Sequence, residues 1–179
     1  MFEFLYLGNL IPAKGIPELL EACHLLSECS PDFICHIAGA DTKELSAETI
    51  RTHHKLPQLI IHGAVSGQNK LALWQRAQAL VFPTNYHNEC FPLVILEAMQ
   101  QGLPVIITPV GAIPDMIIHE KTGLLIPTQD SKALFHAMLR LMNSGNLARK
   151  LGESAATHHR KYFTFCNFEN NLIRILAES

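Results

Sequence analysis

Short apolar runs alternate along this chain with longer segments whose apolar residues recur at helical spacing. Phe2–Gly8, Phe33–Ala38, Leu59–His62, Leu80–Phe82, Pro104–Thr108 and Gly123–Ile126 are of strand length. Helices are predicted over Ile16–Glu28, Lys43–His54, Asn69–Gln78, Phe91–Gln101, Ser131–Asn143, Asn146–His159 and Phe168–Ala177. The first helix shows the pattern: Leu19, Leu20, Cys23 and Leu26 line one side, with Glu18, Glu21 and His24 opposite. Leu73 and Trp74 read as core in the third, and Leu172, Ile173 and Leu176 line one side of the last. Strands separated by helices need right-handed crossovers, which place helices on both faces of a parallel sheet. The expected fold is α/β, a Rossmann-like doubly wound parallel sheet of about six strands. Such sheets bind ligands beyond the carboxyl ends of their strands. The loops of interest are therefore Gly8–Gly15, Gly39–Thr42, Gly63–Gly67, Pro83–Phe91 and Thr108–Asp115.

Composition narrows the class. The 179 residues are 48% hydrophobic, enough for one domain with a sizeable core and too apolar for a disordered chain. A formal net charge of −2 excludes a dedicated nucleic-acid binder, which needs an excess of Lys and Arg. Mean hydropathy is slightly positive at +0.15, but no apolar run approaches the roughly 18–20 residues of a spanning helix. The chain opens directly on a strand-like run without a basic region or cleavage site, so a domain of a longer protein is expected. Five cysteines without CxxC spacing point to a reduced, cytoplasmic protein. The ten histidines cluster only at His53–His54 and His158–His159, and adjacent ligands do not make a metal centre. No metal is expected.

The segment Asn88–Met99 carries the chemistry. Glu89 and Glu97 stand eight positions apart, the first in a loop and the second about two turns inside the predicted helix. Pro92 fits a first helical turn, and the amides of Leu93 and Val94 would then be free donors for an anion. Glu97 interrupts an apolar helix face, and a carboxylate there needs partners. A vicinal diol is one, because two hydroxyls match two carboxylate oxygens. A surface Glu followed by a salt-bridged Glu is the alternative at this level. No G-x-G-x-x-G loop or G-x-S-x-G elbow is present, so neither a dinucleotide site nor hydrolase chemistry is supported.

This arrangement resembles the E-x7-E motif of the family 4 (group 1) retaining GT-B glycosyltransferases. Gly8–Gly15 resembles their G-R-L-x-x-x-K-G loop, and Ile37-Ala38-Gly39 their glycine-ended second strand. Ile61–Val65 is similar to the segment near the base, and Val81–Thr84 to a V-x-P-S stretch. Glu97–Met99 with Gly102–Ile106 is similar to E-A-M-A-x-G-x-P-V-I, while Gly111–Asp115 and Lys121–Leu125 match two further pieces. The likeness runs in order over about residues 1–160.

The resemblance implies the C-terminal, donor-binding half of a GT-B fold: residues 1–160 a nucleotide-sugar-binding domain, and 161–179 a helical segment crossing toward an N-terminal domain outside this chain. It implies transfer of a sugar from a nucleotide-diphosphate sugar to a glycan or lipid-linked acceptor in bacterial cell-envelope synthesis. The full-length protein would be cytoplasmic, at the inner face of the membrane, with no cofactor beyond the donor. The isolated domain would be inactive. Glu97 would accept the ribose hydroxyls, and Glu89 would contact the transferred sugar near the reacting carbon. The amides of Phe91, Leu93 and Val94 behind Pro92 would hold the diphosphate, with Lys14 as point charge. Gly39 and Val65 would flank the nucleotide, and Lys70, beyond Gly67, is placed for base or ribose. Asn9 departs from the family, which has Arg there; weaker donor binding, a substitute cation and a contribution from the other domain stay open. That departure also keeps a non-catalytic Rossmann-like nucleotide- or protein-binding module in view.

Overall fold

The computed structural model describes residues 1–178. Six parallel strands form one sheet: β1 (Phe2–Leu7), β2 (Phe33–Ala38), β3 (Leu59–Gly63), β4 (Ala79–Phe82), β5 (Val105–Ile107) and β6 (Gly123–Leu125). Their order is β3-β2-β1-β4-β5-β6, the doubly wound arrangement. The chain runs outward from β1 to β3, then returns to the middle and runs outward again to β6. The order therefore reverses between β1 and β4, where the loops leaving neighbouring strands diverge and open a crevice.

β4 and β5 are buried at every residue, and β1 and β2 at most of theirs, because helices cover both faces. The edge strand β3 instead alternates between exposed and half-buried positions. The helices are α1 (Ile16–Cys29), α2 (Ala47–His53), α3 (Gly67–Arg76), α4 (Leu93–Gln100), α5 (Ile113–Met116), α6 (Ser131–Asn143), α7 (Gly145–Tyr162) and α8 (Phe165–Glu178), with a 3-10 turn at Pro12–Lys14. α1 lies against α6 and α4 against α7. Leu73 and Trp74 are core.

Every expected strand and helix exists, with boundaries that local chemistry adjusts. α2 begins only at Ala47 because Ser46 caps it through Thr49 N–H, while Asp41 accepts the Ala47 amide. α3 begins two residues early and stops at Arg76. α4 begins at Leu93 rather than Phe91: Pro92, with ψ of 112°, is an extended cap, and the residue before a proline is kept out of helical conformation. α7 starts behind the Ser144 cap and continues to Tyr162. The 3-10 turn and the short α5, each with proline in its first turn, went unanticipated.

α8 begins at Phe165 and stands apart from the core. Phe165, Phe168, Leu172 and Ile173 are 77%, 64%, 45% and 59% exposed.

Candidate functional site

The loop leaving β1 ends in the 3-10 turn, which places Lys14 at its last position beside the switch point. The loop leaving β4 folds over it: Asn85 N–H donates to Ala13 O at 2.8 Å. Within that loop Tyr86 N–H donates to Thr84 Oγ1 at 3.1 Å, and Glu89 N–H to Tyr86 O at 3.0 Å. The far side is held by the loop after β5, where Ala112 N–H donates to Cys90 O at 3.1 Å. Gly111 allows that approach: it has φ of 58°, and a Cβ there would lie 2.0 Å from Glu89 O.

These constraints bring Lys14 Nζ to 3.1 Å from Glu89 Oε2, with side chains only 18% and 10% exposed. The ammonium also lies 5.6 Å from the ring centres of Phe82 and Tyr86. Tyr6 sits beneath this pair. Burial first, then the Glu89 charge, push its phenol well above the ordinary range, so it remains a neutral donor to Asn9 O at 3.2 Å.

Glu97 lies one turn into α4, closer to its start than the two turns expected from sequence, because the helix begins two residues later. Lys70 of α3 reaches across to it, Nζ to Oε1 at 2.7 Å, with the two side chains 30% and 37% exposed. Among the described residues, buried side-chain oxygens without a hydrogen-bond donor include Oε2 of Glu89 and Oε2 of Glu97. Lys14 approaches the first at ion-pair distance but not in hydrogen-bonding geometry. Acceptors left in this state favour an incoming hydroxyl.

The N–H groups of Leu93 and Val94 open α4 and have no partner inside it, since only Ile95 N–H turns back to Pro92 O, at 3.1 Å. Phe91 lies outside the helix, so its amide does not belong to that first turn as expected. Its ring faces Phe163 at 6.2 Å.

A pocket of about 210 Å³ opens beyond the carboxyl ends of β1, β2 and β3, and Gly8, Asn9, Gly39, Val65 and Lys70 line it. Gly39 is needed for close approach, as a Cβ there would lie 1.8 Å from Gly8 O. A larger hollow of about 580 Å³ lies at the opposite end of the sheet among Phe2, Asp32, Gln78, Leu103 and Arg149. It gathers no converging reactive groups, whereas the smaller pocket stands where such sheets bind ligands.

Two clusters gather six of the sequence-predicted residues: Lys14 with Glu89 at the switch point, and Asn9, Gly39 and Val65 around the pocket, tied to Glu97 through Lys70. Phe91, Pro92, Leu93 and Val94 stand at the start of α4. Sequence reasoning missed Tyr6, Tyr86 and the Lys70–Glu97 pairing. It also missed a chain across the sheet, in which His36 Nδ1 meets His62 Nε2 at 3.0 Å and His36 Nε2 meets Glu3 Oε2 at 2.9 Å. Arg76 Nε donates to the same Glu3 oxygen at 3.1 Å. Only the strand register β1-β2-β3 could have revealed that chain.

The chain is 32% identical to the D-rhamnosyltransferase WbpZ of Pseudomonas aeruginosa, over 90% of this chain and 41% of that protein. It is 29% identical to the O-antigen chain mannosyltransferase C of Escherichia coli, over 90% of this chain and 42% of that protein. It thus spans less than half the length of these relatives. Its fold matches Anabaena HepE, solved in complex with UDP-glucose, with a TM-score of 0.84, 18% identity, and coverage of 99% of this chain and 49% of that one. Residues 2–158 match the family model for glycosyl transferases group 1, and the chain belongs to that family.

Proposed function

We propose that this chain is the donor-binding domain of a retaining glycosyltransferase that moves a sugar from a nucleotide-diphosphate sugar to a glycan or lipid-linked acceptor. The observation that carries the reading is the meeting of Lys14 and Glu89, 3.1 Å apart across the switch point, with Glu89 in the loop that leads into α4. A diphosphate seated there would gain the Lys14 charge and the Leu93 and Val94 amides, which stabilise negative charge as the sugar–phosphate bond breaks. Glu97 would take the ribose hydroxyls, and Glu89 the transferred sugar. The UDP-glucose bound in the HepE structure and the sugar-transferring relatives support this class of donor. The O-antigen relative supports a cell-envelope role, and the place that goes with this reading is the cytoplasmic face of the membrane. Among the described residues no helix is long and apolar enough to cross a membrane.

The acceptor would be held by a second domain. The relatives are more than twice as long as this chain, and residues 161–179 include α8 with its exposed Phe165, Phe168, Leu172 and Ile173. The purified chain is therefore expected to bind nucleotide without transferring sugar, and measurable turnover would contradict the division. Charge stabilisation in this reading falls to Lys14 and the helix amides, and calls for no metal.

Titration with nucleoside, monophosphate and diphosphate of each base, at two ionic strengths, tests the reading. Lys14→Ala, checked for folding, should weaken diphosphate binding about ten- to hundred-fold, as for loss of a charge-assisted hydrogen bond. Glu97→Ala should cost roughly 1–3 kcal/mol, whereas Glu89→Ala should leave diphosphate affinity nearly intact. Asn9→Arg should tighten diphosphate but not nucleoside binding. The uncharged Asn9 favours the second reading, a non-catalytic binding module. Unchanged diphosphate affinity in Lys14→Ala would turn the conclusion that way.

A further inference from the structure

We infer that Lys70 is a positioning residue for nucleotide recognition: it holds one oxygen of Glu97 and so fixes the carboxylate that would take the ribose diol. The inference rests on the donor-binding reading above and adds to it a residue from a different element.

Lys70 sits in the first turn of α3, directly after the loop that carries Val65. It lines the pocket with Asn9, Gly39 and Val65, and its Nζ binds Glu97 Oε1 at 2.7 Å. One side chain thus connects the pocket to the carboxylate. The pair does not exhaust that carboxylate. An ammonium uses one lone pair of Oε1, leaving a second on the same atom, while Oε2 is buried without a donor. A vicinal diol needs those two adjacent acceptors. Without Lys70, Glu97 would turn about its side-chain bonds among several staggered positions, and its buried oxygen would move toward water.

Lys70 therefore differs in kind from Lys14. Lys14 stands at the crevice, where a diphosphate would meet its charge directly. Lys70 acts through Glu97, so its removal should be felt by the sugar ring of the nucleotide and not by its phosphates.

The test compares ribonucleoside diphosphates (UDP, GDP and ADP) with their 2′,3′-dideoxy counterparts, using the base that the wild-type chain binds most tightly. Wild type should prefer the ribose form by about tenfold or more, and Glu97→Ala should abolish that preference. Lys70→Met should reduce the preference several-fold while leaving affinity for the dideoxy form unchanged, and the unchanged value also reports a folded site. Lys70→Arg, which can still donate to Oε1, should restore it. An equal loss for both forms in Lys70→Met would make Lys70 a phosphate contact and overturn the inference, as would a retained preference. If Glu97→Ala keeps the ribose preference, it is the donor-binding reading itself that fails.

Discussion

Two lysine–glutamate pairs stand at the carboxyl end of this sheet, equal in charge and close in distance, yet surrounded very differently. Lys14 and Glu89 are clamped by three loops and are almost wholly buried. Lys70 and Glu97 join two helices and leave about a third of each side chain in water. Burial removes hydration from the first pair, so each member depends on the other. Solvent screens the second, so its members contribute little to stability and can be shared with a ligand. The crevice thus combines a fixed element with an adaptable one.

Lys14→Ala should break this contrast most sharply. It leaves Glu89 buried without its cation and should lower unfolding free energy by about 3–5 kcal/mol, while Lys70→Ala should cost about 1 kcal/mol or less. Adding Glu89→Gln to Lys14→Ala should recover part of the loss. Urea denaturation of the four proteins measures this, and equal losses for the two lysines would remove the distinction.

Gly111→Ala probes the clamp itself. A side chain at φ of 58° that also meets Glu89 O should cost about 1–3 kcal/mol from the backbone alone. It should weaken the diphosphate binding that depends on Lys14 while sparing the ribose preference that rests on Glu97. Loss of both would show that the two pairs form one unit.

The smallest effect lies in the chain of Glu3, His36 and His62 on β1, β2 and β3. Burial and then the neighbouring His36, Arg76 and Arg51 charges hold the His62 imidazole below its usual 6.5. The folded chain therefore binds that proton less readily than the unfolded one, so stability is undiminished above about pH 6.5 and falls as pH drops through it. Burial alone would raise the Glu3 carboxyl, but hydrogen bonds from Arg76 and His36 win and hold it below 4.5. Its contribution is present above that value and lost at lower pH. His62→Gln should flatten only the upper step, as followed by thermal unfolding against pH. A step unchanged by the substitution would assign it elsewhere.

The strand and helix periodicities of the sequence carried the order of elements almost completely, because an apolar run of three to six residues flanked by amphipathic helices has few ways to be buried. Boundaries at Leu93 and Ala47 were less legible, since proline geometry and a serine cap decide them locally. The candidate site was legible as residue types: Lys14, Glu89, Glu97, Asn9, Gly39 and Val65 could be named from motifs and loop positions. Their partnerships could not.

Lys70 and Glu97 are 27 positions apart, and Glu3 and His36 are 33 apart, with nothing in the intervening residues to signal either contact. The sequence by itself determined a parallel α/β sheet, the loops that would gather at its carboxyl end, and the charged groups those loops carry. Only the tertiary structure decided that Lys14 neutralises Glu89 in a buried clamp and that Lys70 takes half of Glu97. The physical reason is that burial, register and crossover geometry are properties of the assembled layers, and they set which side chains share a dielectric and which remain open to a ligand.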